Sequence, residues 1–319
     1  MPNWPQAPRT GEAPDRRPSN PAPAAAAKEQ PENTPQFIAR KPLRTLDDLI
    51  VSSVVMHRID IALKQLTHHE ALYHTWNLKK IDPYRAGTAV NFYGMPGTGK
   101  SLAAEALAAQ VARPFIDVNY AEIESRYVGD TPKNIVRCFE QARAANAVLV
   151  FNEADSILGS RLSNVTQSSD HSVNVSRAVM LSQLDAFDGL VVFTTNFPRN
   201  YDAAFVRRIL VHVKFELPDL ATRERLWAQL IPDEMPREAS FSTRELAAAS
   251  EGLAGGDIVN AIKAAGAEAI SRPQPDRHLT MADVRHEIES IRLAKAEVGK
   301  PAPGPRVVSV DEVDSVPED

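Results

Sequence analysis

Short apolar runs alternate with stretches of helical periodicity through the middle of this chain of 319 residues. Five of these runs have the length and composition of strands. They are Ala89–Tyr93, Phe115–Val118, Val148–Phe151, Val191–Thr195 and Val211–Phe215. Because strands that alternate with helices are typical of a parallel sheet covered on both faces, the pattern predicts an α/β domain.

The chain on either side of this alternation has a helical pattern. Residues from Leu46 to about Leu78 carry apolar positions at helical spacing. After Pro218 the sequence has no further strand-like run, and four segments are predicted to be helical: Leu220–Leu230, Thr243–Glu251, Asp257–Ser271 and Met281–Leu293. We therefore expect an α/β domain over residues 38–218 and a small all-helical domain over residues 219–297.

Both ends of the chain have the composition of disordered segments. Residues 1–37 are rich in proline, alanine and charge, and residues 298–319 form a second such tail with an acidic finish. Segments with so few large apolar residues cannot bury enough surface to offset the entropy that is lost on ordering. We expect both segments to be disordered.

Composition and charge narrow the compartment and the partners. The net charge is −5, and no apolar run reaches the length of about 18 residues that a membrane span needs. The first residues lack the apolar core of a secretion signal. The single cysteine, Cys138, excludes an intramolecular disulfide. These features predict a cytoplasmic protein without a membrane partner, and the acidic balance argues against a nucleic-acid partner.

The loop after the first predicted strand has the pattern G-x-x-x-x-G-K-S of a phosphate-binding loop. Its residues are Gly94, Met95, Pro96, Gly97, Thr98, Gly99, Lys100 and Ser101, and the following helix continues from Leu102. Glycines let successive backbone N–H groups point at a phosphate, and the helix dipole adds positive potential. Lys100 can reach the β- and γ-phosphates, and the Ser101 hydroxyl can bind Mg²⁺. The motif predicts a site for ATP with Mg²⁺ as cofactor.

A second motif ends the third predicted strand, where the apolar run is followed by Asn152 and Glu153. Polar residues at the carboxyl end of such a strand lie where open α/β sheets bind ligands. The motif resembles that of the AAA family of ATPases, in which an apolar run is followed by Asp-Glu. In the family the Asp supports Mg²⁺ and the Glu activates the attacking water. The resemblance implies that Glu153 is the catalytic base and that Asn152 contacts Mg²⁺ through water.

Asn152 departs from the pattern of the family. An amide can hydrogen-bond a metal-bound water, but it removes a negative charge next to the ion. We therefore expect weak Mg²⁺ binding and slow hydrolysis. Asp155 is a candidate to compensate for the missing charge, and a structural role for Asp155 is the alternative.

The segment after the fourth predicted strand resembles a further conserved region of the AAA family. The resemblance implies that Asn196 senses the γ-phosphate and orients water. It also implies that Arg207 and Arg208 project into the site of a neighbouring subunit, where a guanidinium can stabilise the charge of the transition state. Adjacent arginines resemble the microtubule-severing members, katanin and spastin. The alternative is that one or both arginines are only structural or solvated.

Three further segments resemble parts of AAA proteins. Ile50 lies in a segment that closes over the adenine in the family, and Gly255 and Gly256 begin a lid helix that packs near the adenine and ribose. Arg126, Tyr127, Val128 and Gly129 resemble the first pore loop of AAA unfoldases. A ring of tyrosines can grip an extended polypeptide with little dependence on its sequence. The alternative is that Tyr127 and Val128 pack locally under a turn.

The resemblance covers roughly Lys41 to Leu293 and rests on several motifs in the family's order. It implies a P-loop NTPase α/β fold, with a parallel five-stranded sheet of order 5-1-4-3-2 followed by an all-α lid. The function expected is that of an Mg²⁺-dependent ATPase that acts in a homo-hexameric ring on an unidentified protein substrate or adaptor. One alternative is a scaffold that binds ATP and hardly hydrolyses it. A second is a loader ATPase associated with nucleic acid.

Overall fold

The computed structural model describes residues 36–82, 87–119, 123, 130–159, 168–196 and 201–298, with the backbone alone described for residues 168–172. The two predicted disordered segments therefore lie almost wholly outside the described residues. Phe37, the last residue of the first of these segments, is buried in the core, and its backbone N–H donates to Gln141 Oε1 at 2.8 Å. Within the described ranges, no helix has both the length and the apolar character to cross a membrane.

The predicted strands form one parallel sheet. Its strands are β1 (Thr88–Gly94), β2 (Phe115–Asn119), β3 (Val148–Asn152), β4 (Leu190–Thr195) and β5 (Val211–Phe215). Their order is β2-β3-β4-β1-β5, and every neighbouring pair is parallel. This is the predicted order read from the other edge of the sheet, so the predicted P-loop NTPase fold class is confirmed.

Ten α-helices lie within the part of the chain that the structure describes. They are α1 (Ser53–Thr67), α2 (Lys100–Gln110), α3 (Asp130–Ala145), α4 (Asp155–Leu158), α5 (Ser168–Ala186), α6 (Ala203–Arg208), α7 (Leu220–Leu230), α8 (Thr243–Ala249), α9 (Gly255–Ser271) and α10 (Met281–Glu297). Helices α2 to α6 all lie between strands, so the alternation of strands and helices that the hydrophobic pattern predicts is present.

The segment Leu46–Leu78 is broken, whereas its periodicity predicts one continuous helical stretch. It consists of a 3₁₀ turn at Leu46–Asp48, helix α1, and a π-helical turn at Ala71–Thr75. The breaks have local causes. The Ser52 hydroxyl accepts a hydrogen bond from the Val55 N–H and so caps the start of α1. Asn77 has φ of 57°, which a continuing α-helix does not allow.

Apolar side chains of the strands alternate between the two faces of the sheet, as the pleat requires. In β3, Leu149 and Phe151 contact a core with residues of α3 and α5, such as Phe139. Val148 and Val150 point to the opposite core, which contains residues of α1 and α2. With both faces covered, the strands are apolar along most of their length, which is why they appear in the sequence as continuous apolar runs.

Helices α7 to α10 enclose a core of their own around Trp227, which is fully buried. The indole Nε1 of Trp227 donates to Ser250 Oγ at 2.9 Å, so its polar atom is satisfied inside that core. Asp219, Ser242 and Thr280 cap the starts of α7, α8 and α10. These caps explain why the predicted helices begin close to the positions that the sequence pattern indicates.

Candidate functional site

The loop between β1 and α2 is held in a shape that depends on its glycines. Gly94, Gly97 and Gly99 all have positive φ, at 144°, 75° and 96°. At Gly94 a Cβ would lie 2.0 Å from the carbonyl oxygen of Phe215 on the neighbouring strand β5. Only glycine fits this position, so the loop leaves β1 at the angle that places α2 with its N-terminus toward the carboxyl edge of the sheet.

Lys100 lies at the start of α2 with its side chain turned back over the loop. Its Nζ donates to the carbonyl oxygens of Gly94 and Met95, both at 2.8 Å, and the residue is 7% exposed. Burial lowers the pKa of Lys100, and the nearby carboxylate of Asp155 opposes that effect. Thr98 Oγ1 donates to the same Met95 carbonyl at 2.7 Å. The ammonium is thus held at the loop by backbone acceptors that phosphate oxygens can replace.

A network of side chains from three adjacent strands, β2, β3 and β4, faces the start of α2. Ser101 Oγ donates to Asn152 Oδ1 at 3.0 Å, and Thr194 Oγ1 donates to the same oxygen at 2.7 Å. The amide Nδ2 of Asn152 donates to Asp117 Oδ1 at 2.5 Å. Ser101 and Asn152, the two residues predicted to contact Mg²⁺, are therefore hydrogen-bonded to each other.

Glu153, the predicted base, directly follows β3 in a left-handed conformation with φ of 53°. This conformation is unfavourable for a residue with a Cβ, and such strain is concentrated at functional sites. The backbone of the next residue is held in place, because the Ala154 N–H donates to the Thr194 carbonyl at 3.0 Å. Asn196, at the end of β4, donates its N–H to Asp155 Oδ2 at 3.3 Å. Asp155 therefore supports Asn196, and it is Asp117 whose carboxylate is bonded to Asn152.

These residues line one cleft of about 790 Å³ between the sheet and helices α7 and α9. Of the predicted nucleotide-binding residues, ten have a place in its lining: Ile50, Pro96, Gly97, Thr98, Gly99, Lys100, Ser101, Leu102, and Gly255 and Gly256 of α9. Met95 has a side chain that is 55% exposed, and Gly94 lies behind the loop. Asn152, Glu153 and Asn196 complete the opposite wall.

The start of α9 is joined directly to the phosphate-loop region. The Gly256 N–H donates to the Gly97 carbonyl at 2.9 Å, and a Cβ on Gly256 would lie 3.2 Å from Gly97 Cα. Ile50 packs against the core of the C-terminal helices. The helical part of the chain thus contacts the loop through backbone atoms of Gly97 and Gly256.

Arg207 and Arg208 lie at the end of α6, outside this cleft, and they differ from each other. Arg208 forms a two-pronged ion pair with Asp185 of the same chain, with Nε–Oδ1 and Nη2–Oδ2 distances of 2.8 Å. The bond to Asp185 raises the pKa of Arg208, and its Nη1 also donates to the Ala204 carbonyl at 3.1 Å. Arg207, in contrast, is exposed. The predicted pore-loop residues Arg126, Tyr127, Val128 and Gly129 lie outside the described residues.

Sequence reasoning missed Asp117 and Thr194. Both lie on strands whose other side chains are mostly apolar, and neither belongs to a recognisable motif. A signal for Asp117 does exist, since a carboxylate inside the short strand β2 is unusual in a sheet that is covered on both faces. The role of Asp117 depends on which strand lies next to β2, and the sequence pattern of β2 alone does not show which strand that is.

Comparison with known proteins agrees with this geometry. Residues 90–217 match the family described as "ATPase family associated with various cellular activities (AAA)". The chain is 31% identical over 225 residues to spastin of Drosophila grimshawi, covering 64% of this chain and 28% of that protein. It is 28% identical over 279 residues to spastin of Drosophila pseudoobscura pseudoobscura, covering 79% of this chain and 34% of that protein. The chain thus spans about a third of the length of these relatives.

Proposed function

Because this chain is an AAA ATPase of the branch that includes spastin, we propose that it hydrolyses ATP to remodel other proteins. In this proposal the active form is a homo-hexameric ring in the cytoplasm, with ATP bound at each interface between subunits. The substrate or adaptor is a protein, gripped by the loop of Arg126, Tyr127, Val128 and Gly129. The tyrosine of that loop supplies apolar contact that does not depend on the sequence of the bound chain.

The observation that carries the proposal is the convergence of Lys100, Ser101, Glu153 and Asn196 on one cleft. The donors of the loop suit the phosphates, and the Lys100 ammonium exchanges its two carbonyl acceptors for phosphate oxygens. Glu153 accepts the proton of the attacking water, and the Asn196 amide orients that water. The strained backbone of Glu153 supports this assignment.

The residues next to Ser101 also suit Mg²⁺, because that ion takes oxygen ligands and is bound through few protein groups together with phosphates. The Ser101 hydroxyl and the Asn152 carbonyl oxygen are such ligands, and they lie 3.0 Å apart. We assign Ser101 to the ion directly and Asn152 to it through water. When bound, Mg²⁺ neutralises charge on the β- and γ-phosphates.

The exposure of Arg207 and the ion pair of Arg208 favour different roles for the two arginines. We assign Arg207, which is exposed, as the finger that reaches the ATP of the neighbouring subunit. Arg208 is a positioning residue in this assignment, because its guanidinium is already paired with Asp185 of its own chain. The ion pair anchors the end of α6, the helix that carries Arg207.

The proposal predicts that two inactive variants restore each other's ATPase activity when they are mixed. Glu153→Gln lacks the base and Arg207→Ala lacks the finger, so each alone should lose at least about 100-fold in turnover. In mixed rings, a Glu153→Gln subunit donates its Arg207 to an Arg207→Ala neighbour that retains Glu153. We expect mixing to raise the rate at least about tenfold above either variant alone, measured by phosphate release.

The matched control is Arg225→Ala, which removes an exposed arginine from α7 and should keep wild-type turnover. If Arg207→Ala loses activity and mixing never restores it, although size-exclusion chromatography shows mixed oligomers, then the interface site is wrong. Full ATPase activity of Arg207→Ala alone would also show that Arg207 does not complete a site at the interface between subunits.

A second candidate function is a nucleotide-gated scaffold, and Asn152 is the observation that favours it. An amide at this position lowers the negative charge next to Mg²⁺, and a weakly held ion slows phosphoryl transfer. In this case wild-type protein binds ATP, shows no turnover at saturating Mg²⁺, and changes its partner affinity with the bound nucleotide.

A further inference from the structure

Asn152 has a defined orientation in its hydrogen-bond network. Its amide nitrogen donates to Asp117 Oδ1, and its oxygen accepts from the hydroxyls of Ser101 and Thr194. An ionised carboxylate can only accept, whereas a hydroxyl can donate or accept. Asp117 therefore requires the Nδ2 side of the amide and turns Oδ1 toward Ser101. The contact at 2.5 Å is the shortest of the three, as expected for a bond to a charged acceptor.

The sheet explains why Asp117 meets Asn152. Strands β2 and β3 are parallel neighbours, with Asn119 opposite Asn152 and Asp117 opposite Val150. Cross-strand partners point to the same face, and so do residues two apart along a strand. Asp117 and Asn152 thus share the face that α2 covers, next to Ser101 at the start of that helix.

The carboxylate of Asp117 faces the cleft, where none of the described basic residues forms an ion pair with it. The side chain is exposed and lines the cleft together with Ser101 and Asn152. Among the residues that the structure describes, no lysine, arginine or histidine forms an ion pair with it. One negative charge therefore stands beside the position where Asn152 lacks one.

We propose that Asp117 supplies the negative charge of the Mg²⁺ site, so that this charge has moved from the end of β3 to the adjacent strand β2. The inference rests on the proposed function, since it concerns the same ATP site. Asp117 acts on the ion through its charge and through the water shell, while Asn152 links it to Ser101. The site then keeps the net charge that a carboxylate at position 152 would provide. Weak Mg²⁺ binding, the expectation from Asn152 alone, no longer follows.

The test is Asp117→Asn, because this change removes the charge and keeps an oxygen that can accept from Asn152 Nδ2. Affinity for the non-hydrolysable analogue adenylyl imidodiphosphate is measured by calorimetry with and without Mg²⁺. In wild type we expect Mg²⁺ to strengthen binding. In Asp117→Asn this strengthening should fall by about tenfold, as expected for one unit charge a few ångströms from the ion in a partly exposed site. Binding without Mg²⁺ should be unchanged or tighter.

The second arm is the exchanged variant Asp117→Asn/Asn152→Asp, which returns the charge to β3 and keeps an amide–carboxylate pair between the strands. It should recover the Mg²⁺ effect to within about threefold of wild type. The matched control is Asp276→Asn, which removes one negative charge from an exposed position that is not part of the lining of the cleft. That variant should retain the wild-type Mg²⁺ effect.

The outcomes separate the two proposals. If wild type fails to bind the analogue under any condition, the ATP site itself is wrong and the proposed function fails. If wild type binds it and Asp117→Asn keeps the full Mg²⁺ effect, Asp117 only orients the amide and this inference is overturned. It is also overturned if the folded exchanged variant, checked by its melting temperature, binds the analogue without Mg²⁺ but does not recover the effect.

Discussion

The two walls of the cleft differ in the kind of group that they present to a ligand. The loop wall, residues 94–101, presents backbone groups shaped by glycines, with Lys100 as its one buried charge. The strand-end wall, formed by Asp117, Asn152 and Thr194, presents side chains from three separate strands that are hydrogen-bonded to one another. The first wall is one continuous segment of chain. The second is assembled by the sheet from residues up to 77 positions apart, between Asp117 and Thr194.

This difference indicates how each wall can change. A backbone cradle depends on dihedral angles that only particular residues adopt, so its pattern is narrow and easily recognised. A side-chain network has to provide an electrostatic field and a set of hydrogen-bond donors and acceptors. Side chains on neighbouring strands can contribute these groups jointly, so one strand need not carry all of them. We infer that the loop wall tolerates few substitutions, whereas the strand-end wall tolerates an exchange of charge between positions.

The largest effect is expected on the loop wall from Lys100→Ala. The change removes the buried ammonium that the Gly94 and Met95 carbonyls hold in place. Affinity for ATP should fall by at least about 100-fold, as expected when a charge-assisted contact to phosphate is lost from a partly dry site. Calorimetric titration with ATP measures the change.

The control for that prediction is Lys263→Ala, which removes an exposed lysine from α9. It should bind ATP as wild type does. Unchanged ATP affinity in a folded Lys100→Ala protein would mean that Lys100 does not contact the nucleotide. The proposed role of the loop wall in the contrast between the two walls would then be wrong.

A comparable effect, on stability and not on affinity, is expected from Gly94→Ala, which tests the backbone of the loop wall. A Cβ at this position would meet the Phe215 carbonyl oxygen at 2.0 Å, and φ is 144°. Strain and steric contact together should lower the free energy of unfolding by about 3 kcal/mol. Chemical denaturation measures this change.

Gly252→Ala is the matched comparison, because Gly252 also has a positive φ, of 82°, and a Cβ there would have no atom within 4 Å. Gly252→Ala should lower the free energy of unfolding by only about 1–2 kcal/mol, which is the cost of placing alanine in the left-handed conformation. Equal losses in the two variants would show that the contact with Phe215 contributes nothing.

The smallest effect is expected on the strand-end wall from Thr194→Val. This nearly isosteric change removes the hydrogen bond to Asn152 Oδ1, while Ser101 continues to donate to that oxygen. The free energy of unfolding should fall by about 1 kcal/mol, and the Mg²⁺ concentration for half-maximal ATPase rate should rise about two- to threefold.

Thr195→Val provides the comparison on the same strand, because the Thr195 hydroxyl contacts Tyr201 and not the Asn152 network. It should lower stability and leave the Mg²⁺ requirement as in wild type. If Thr194→Val abolishes Mg²⁺-dependent activity, the strand-end wall is as intolerant as the loop wall, and the proposed contrast fails.

Much of the fold could be predicted, because its signals are local. Each strand lies within about one residue at either end of the predicted run, and three of the four C-terminal helices begin directly after residues whose side chains cap them. The shape of the glycine-rich loop at residues 94–101 could also be predicted, because its pattern lies within eight consecutive residues, and its binding of phosphate stays a prediction. The segment Leu46–Leu78 was predicted less well. Its apolar periodicity persists across Ser52 and Asn77, where a cap and a left-handed residue interrupt the helix.

The sequence by itself determined the parallel α/β class and the glycine-rich loop at residues 94–101, and it placed Glu153 and Asn196 directly after β3 and β4, because periodicity and short motifs act over a few residues. Tertiary structure decided that Asp117 lies against Asn152, 35 residues further along the chain, and that Arg208 pairs with Asp185. These contacts depend on strand register and helix packing. The sequence shows which side chains are charged, but the fold determines which groups lie close enough to interact with each charge.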